Sequence, residues 1–313
     1  MDNSIKKINK FKNISKLLLA ILYGWFVVYN LNLDFATNTG DIQKYILNVH
    51  VKIQAAFSHE SLFYILIEKL DILFNISPED SFRVIAFTIS SILIYIFALH
   101  VQTKNYVNYL WPLFWIVFMS PRVTDLFASG VRSGIAFVVL FYAIIYLRGI
   151  TKYITIAISG LLHLSMIPII GFYFLFNFIN KTKLNLSTSI YYLFLFFYSF
   201  FIIILANELY ILPSISSGIN YQLLTSILGL SYILINKESV RDLYGFLSVG
   251  TMLIVLIGFL LDLSFVRYIG NSILFFLFFL INKNNNRNIQ SFLIIFFIYF
   301  ALTLAYTISS TFR

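Results

Sequence analysis

The sequence predicts an all-α, polytopic integral membrane protein with about ten to twelve membrane-embedded helices, some of them re-entrant or broken. Three observations carry this. Of 313 residues, 60% are hydrophobic and 11% charged, and the mean hydropathy of +0.87 lies far outside the range of soluble domains. Apolar runs of roughly 15 to 20 residues recur from end to end, close to the length that crosses ~30 Å of hydrocarbon. They are continuous, whereas a transmembrane barrel would show short alternating segments. With no long polar stretch between the runs, residues 1–313 read as a single polytopic membrane domain with an outer loop at about 33–60.

Composition also narrows the chemistry. The net charge of +9 reports which loops face the cytoplasm rather than nucleic-acid binding. The absence of cysteine removes disulfides, thiolate metal sites and cysteine nucleophiles together. His50, His59, His100 and His163 show no metal-ligand spacing. No phosphate-binding loop or dinucleotide fingerprint occurs, so neither a cofactor nor ATP coupling within the chain is expected.

Taken in order, Lys6, Lys7, Lys10, Lys12 and Lys16 precede a first span over Lys16–Asn30, which places the N-terminus in the cytoplasm. Tyr29–Asp34 lacks a small-residue cleavage pattern, so this span is read as retained. The segment 61–77 is apolar but short, and it carries Glu68, Lys69 and Asp71. Further apolar runs occupy about 82–99, 107–120, 132–147, 153–180, 188–206, 219–235, 242–261, 263–281 and 289–308.

Basic residues in short loops test the topology. With the N-terminus, Lys104, Arg148, Lys152, Lys181, Lys183, Lys237, Arg241, Lys283 and Arg287 inside, 14 of the 22 basic residues are cytoplasmic. Keeping that parity requires that 61–77 makes no full crossing and that 153–180 enters and leaves on one side. A broken hairpin with its apex near His163 and Pro168 satisfies it; the competing picture is one long tilted helix. Arg122, Asp125, Arg132 and Arg267 then fall on the outer side, with Asp41 and Glu60 of the first loop. Arginines placed against the positive-inside trend point to an anion on that face, with salt bridges to Asp125 or Asp262 as the alternative.

Two constellations stand out. Gly130 and Gly134 have the small-xxx-small spacing that lets helix backbones approach, and Arg132 lies between them in the first turn, where its fork could engage a phosphate or diphosphate. Ser159 and His163 are one helical turn apart. Pro168 cannot donate to the carbonyl of Leu164, which leaves backbone beside the histidine open. A neutral imidazole there could accept a hydroxyl proton, and an imidazolium could bind phosphate.

The order Gly40-Asp-Ile-Gln-Lys-Tyr45, His59-Glu-Ser-Leu-Phe-Tyr64, Val131-Arg-Ser-Gly-Ile-Ala136, Arg148 and Leu162-His-Leu-Ser165 resembles the EpsG-like branch of the Wzy polysaccharide (O-antigen) polymerases. The likeness covers about residues 35–180. Ser61 and Leu62 stand where that family often has proline and glycine, and Ser133 where it often has glutamine. The resemblance implies a metal-independent glycosyltransferase at the outer face of the bacterial cytoplasmic membrane. It would move a growing glycan from undecaprenyl diphosphate onto a new undecaprenyl-diphosphate-linked repeat unit, for lipopolysaccharide or a related surface polymer. Donor, acceptor and membrane lipid are the expected partners, with a chain-length regulator as a further one and no nucleic acid. In this scheme Arg132 contacts the diphosphate with Arg122 and Arg267 in support. His163 deprotonates the acceptor hydroxyl or binds the diphosphate, and Asp41 and Glu60 are alternative bases or sugar ligands. The alternatives are a lipid-linked oligosaccharide flippase, which would be expected to carry an internal repeat, and a membrane glycosyltransferase that uses lipid-phosphate sugars.

Overall fold

A computed structural model describes residues 2–29, 61–103, 117–128, 130–181, 187–209, 240–261, 263, 265 and 267–283. Among these, the regular elements are ten α-helices: α1 (Asp2–Tyr29), α2 (Ser61–Phe74), α3 (Pro78–Thr103), α4 (Pro121–Ala128), α5 (Val131–Tyr146), α6 (Gly149–Leu162), α7 (Met166–Lys181), α8 (Thr188–Leu209), α9 (Leu243–Leu260) and α10 (Arg267–Lys283). Glu79–His100, Thr188–Glu208 and Leu243–Leu260 are long and apolar enough to cross a membrane, and five shorter apolar helices accompany them. The protein is thus an all-α polytopic membrane protein. The apolar runs at 107–116, 219–235 and 289–308 lie outside the described residues.

Local chemistry sets several boundaries. α1 begins at Asp2 rather than near Lys16, because lysines are good helix formers and carry the helix back beyond its apolar part at Ile14–Val28. α2 has 14 residues, about 21 Å of rise against ~30 Å of hydrocarbon. It ends at Asn75, which turns left-handed at φ 50°, a conformation asparagine tolerates at a helix C-terminus. α3 then starts with Ser77 as its cap: the Asp80 amide donates to Ser77 Oγ (3.2 Å) and Ser77 Oγ donates to Asp80 Oδ2 (3.1 Å). Pro78 occupies the first helical position, where its missing N–H costs nothing.

The run 153–180 is not one straight helix. α6 stops at Leu162, His163 is extended (φ −159°, ψ 124°), and α7 restarts at Met166. The interruption falls at residues 163–165, ahead of the proline. Pro168 is the third residue of α7, within the turn where amides have no helical acceptor anyway. The carbonyl expected to stand open is also bonded, since Leu164 O accepts from the Ile167 amide at 2.9 Å.

The helices gather into two compact units, interleaved along the chain: Met1–Asn105 with Thr124–Ile167, and Tyr106–Val123 with Pro168–Arg313. In the first, α3 is central, with α1, α2 and α5 packed on it and α6 packed on α5. Its core holds Tyr23, Phe63, Phe82, Phe97, Phe127, Phe137 and Phe141, with the Phe63 and Phe82 rings edge to face at 5.6 Å. In the second, α9 is flanked by α8 and α10. Phe172 of α7 lies over Gly250, where a Cβ would come within 2.7 Å of the ring.

Gly134 is where α5 meets both neighbours. A Cβ there would stand 2.7 Å from Leu126 O, 2.9 Å from Phe127 Cδ1 and 3.0 Å from Ile89 Cδ1. A backbone carbonyl cannot swing aside as a side chain can. Gly134→Ala is therefore expected to destabilise the protein by about 1–3 kcal/mol, despite alanine's better helix propensity; a denaturation midpoint in detergent equal to wild type would contradict this packing.

Candidate functional site

The site is built on the α5–α6 hairpin. Sixteen and fourteen apolar-rich residues are joined by Leu147 and Arg148 alone, so the helices must run back along each other. Gly149, at φ +59°, allows the sharp reversal that a side chain would resist. Lys152 Nζ donates to Ile144 O at 3.2 Å, placing a cation on the carbonyls at the C-terminus of α5. Exposed Tyr142, Tyr146 and Tyr153 surround this end, the first two with ring centroids 5.4 Å apart. Tyrosines with Arg148 and Lys152 are the composition of a membrane–water boundary.

One hydrogen bond sets the register of the hairpin. Ser159 Oγ, fully buried, donates to Ala136 O at 2.7 Å. Ala136 lies eleven residues before Leu147, and Ser159 eleven after Arg148. Arg132 and His163 each lie fifteen away, so one further turn along both helices brings them to the same level, about 22 Å from the tyrosine-rich end. Each is 7% exposed. The two residues singled out in the sequence thus lie level at the far end of one hairpin.

That end concentrates positive potential. Arg132 is the second residue of α5, after Gly130, which caps with backbone alone (φ −99°, ψ 38°). The first hydrogen bond of the helix runs from the Gly134 amide to Gly130 O at 2.9 Å; the amides before it lie outside the helical ladder. A cation in the first turn of a helix opposes the macrodipole. An anion placed there would answer both the guanidinium and the helix end.

Ser165 adds a residue that sequence reasoning passed over. Its hydroxyl is buried without a hydrogen-bond partner, two positions past His163 in the same interruption. The signal was present as a serine following the histidine, but it acquires meaning only once the helix is known to break there.

The remaining candidates are less completely placed. Arg122 is the second residue of α4 and Arg267 the first of α10; both belong to the second unit, whereas Arg132 and His163 belong to the first. The side chains of Arg122 and Arg267, and all of Asp41 and Glu60, lie outside the described residues. No group of three or more His, Cys, Asp or Glu that could hold a metal occurs among the described residues.

Removing the hydroxyl that sets the register should loosen the hairpin. Ser159→Ala is expected to cost about 0.6–1.7 kcal/mol, the range for hydrogen bonds between membrane helices, whereas Ser159→Thr, which keeps the donor, should retain more of it. Equal unfolding midpoints for wild type and Ser159→Ala would remove the bond's structural role. Compared with known proteins, the chain matches no family model, no curated protein and no solved structure.

Proposed function

We propose that the chain is a polysaccharide polymerase of the bacterial cytoplasmic membrane. It would transfer a growing glycan from a polyprenyl diphosphate carrier to the sugar of a new lipid-linked repeat unit. The observation that carries this is the level pairing of Arg132 and His163, both buried, at one end of the α5–α6 hairpin. A cation at a helix N-terminus with an imidazole at the same level is what a diphosphate leaving group and an acceptor hydroxyl together require. The motif order resembling EpsG-like Wzy polymerases supports the same assignment.

Depth supports it too. If the tyrosine-rich end lies at the cytoplasmic boundary, as the lysine and arginine distribution favours, the pair about 22 Å away sits some 8 Å short of the opposite headgroup layer of a ~30 Å hydrocarbon core. A lipid diphosphate anchored in the outer leaflet reaches that level by a small displacement. In the reaction, the acceptor hydroxyl attacks the anomeric carbon of the donor glycan as the bond to the diphosphate oxygen breaks. His163 takes the hydroxyl proton and Arg132 stabilises the charge left on the diphosphate. Asp41 and Glu60 are alternative bases.

Arg132→Ala should abolish polymer while leaving protein level and single-repeat products intact. Arg132→Lys should lower transfer roughly ten- to hundredfold, since an ammonium cannot reproduce a bidentate fork. Normal chain length in Arg132→Ala would sink the assignment, and loss even of single surface-displayed repeat units would favour a flippase. His163→Gln should lower the rate about 10²- to 10⁴-fold if the imidazole is the base. A rise in KM alone, measured with purified protein and synthetic lipid-linked repeat units, would move it to binding.

A further inference from the structure

The turn end of the α5–α6 hairpin carries charge of one sign. Arg148 and Lys152 stand four residues apart there, and no Asp or Glu occurs in the chain between Asp125 and Glu208. Arg148 begins α6 through its backbone, with no side-chain cap bond, and is exposed. Lys152 Nζ is held on Ile144 O, which keeps its charge at the same level. Tyr146 and Tyr153, both exposed, complete a cationic and aromatic edge of the kind found among lipid headgroups.

The face of α6 that leads away from this edge is apolar and uncovered. Ile156, Ser159 and Leu162 are buried, whereas Ile150 (76% exposed), Ile154, Ile158 and Leu161 (61% exposed) recur at the i, i+4, i+8, i+11 spacing of the opposite face. From Ile150 to Leu161 this face rises about 17 Å, close to the depth of one leaflet of a ~30 Å hydrocarbon core. A phospholipid has the matching form, a charged head above an apolar chain one leaflet long. A chain laid on the isoleucines brings its phosphate to the level of Arg148.

We propose that this end of the hairpin binds an anionic phospholipid, with the phosphate on the Arg148 guanidinium, within the field of Lys152, and an acyl chain along the exposed face of α6. The guanidinium supplies a fork that fits phosphate oxygens. The headgroup is anionic because a zwitterionic one brings an ammonium of its own to a level that already holds two cations. Arg132 and His163 lie at the other end of the hairpin, about 22 Å away, so the lipid site stands or falls apart from the polymerase reading.

The test is lipid binding to the full-length protein in detergent, titrated with phosphatidylglycerol or with phosphatidylcholine of the same acyl chains and read by native mass spectrometry. The wild type is expected to prefer phosphatidylglycerol. Arg148→Gln should weaken that lipid about fivefold, the worth of one basic residue beside an anionic surface, and leave phosphatidylcholine unchanged. Arg148→Lys keeps the charge and should keep most of the preference; if the glutamine variant does not accumulate, Arg148→Met is read in its place. Equal affinity of the wild type for both lipids would mean bulk lipid only on this face and overturn the site. An undiminished preference in Arg148→Gln would overturn it too, moving the anionic lipid to other basic residues such as the lysines of α1. If Arg148→Gln lowers the unfolding midpoint equally with and without added phosphatidylglycerol, the guanidinium serves Glu68 or Asp71 of α2, which packs on α6, and the assignment falls.

Discussion

Inside hydrocarbon a hydroxyl or amide has no water to bond with, and this constraint organises what the two units do with their polar residues. Ser159 places its hydrogen on Ala136 O, Ser90 on Ala86 O, and Ser248 and Ser272 on each other's carbonyls. A bond within one helix merely satisfies the group. A bond between helices also selects one register among many, because aliphatic surfaces slide over one another at little cost. The hydroxyl of Ser159 is worth about 1 kcal/mol as a bond, yet it decides which residue of α5 stands level with His163.

The same constraint explains where the chain breaks. A helix interruption exposes carbonyls and amides, so it is tolerable only where other groups satisfy them. At 163–165 the His163 amide reaches back to Ser159 O at 3.2 Å, and the amides of Met166 and Ile167 turn onto His163 O and Leu164 O at 3.0 and 2.9 Å. The backbone bridges its own gap with two tight turns. The side chains of His163 and Ser165 stand in the same interruption.

Much of this fold was legible in the sequence because hydropathy and helix length are local properties. The runs at 82–99, 132–147, 188–206 and 242–261 fall within a residue or a few of the helices observed, and the oddity of Arg132 in the first turn of α5 was readable from position alone. The exact point of the break was not, because proline is conspicuous in a sequence while tolerance of it in a first turn depends on where the helix begins. Topology offered Arg132 and His163 near one membrane face only as an expectation tied to a hairpin over 153–180. That they lie level on the α5–α6 hairpin was not readable, since nothing in a sequence says that the hydrogen of Ser159 goes to Ala136 O. Gly134 was read as a close-packing position without its neighbours, and the backbone of Leu126 is one of them. Ser165 was readable only as the serine of the His163 motif for a related reason: an unsatisfied group is defined by what surrounds it.

Electrostatic magnitudes bear on why Arg132 is tolerable where it stands. At the N-terminus of α5 a cation meets the positive end of the helix, at a cost of about 0.3–1 kcal/mol when exposed and up to ~2 kcal/mol when partly buried. Burial at 7% exposure adds desolvation of several kcal/mol in general terms. Against this, a single negative charge about 4 Å away returns ~4 kcal/mol at an effective dielectric constant near 20, and a diphosphate carries more than one. The helix end, unfavourable to the arginine alone, is favourable to an anion beside it, so an anion bound there gains attraction from both the guanidinium and the helix end. A position that is poor for folding is in this way suited to holding an anion.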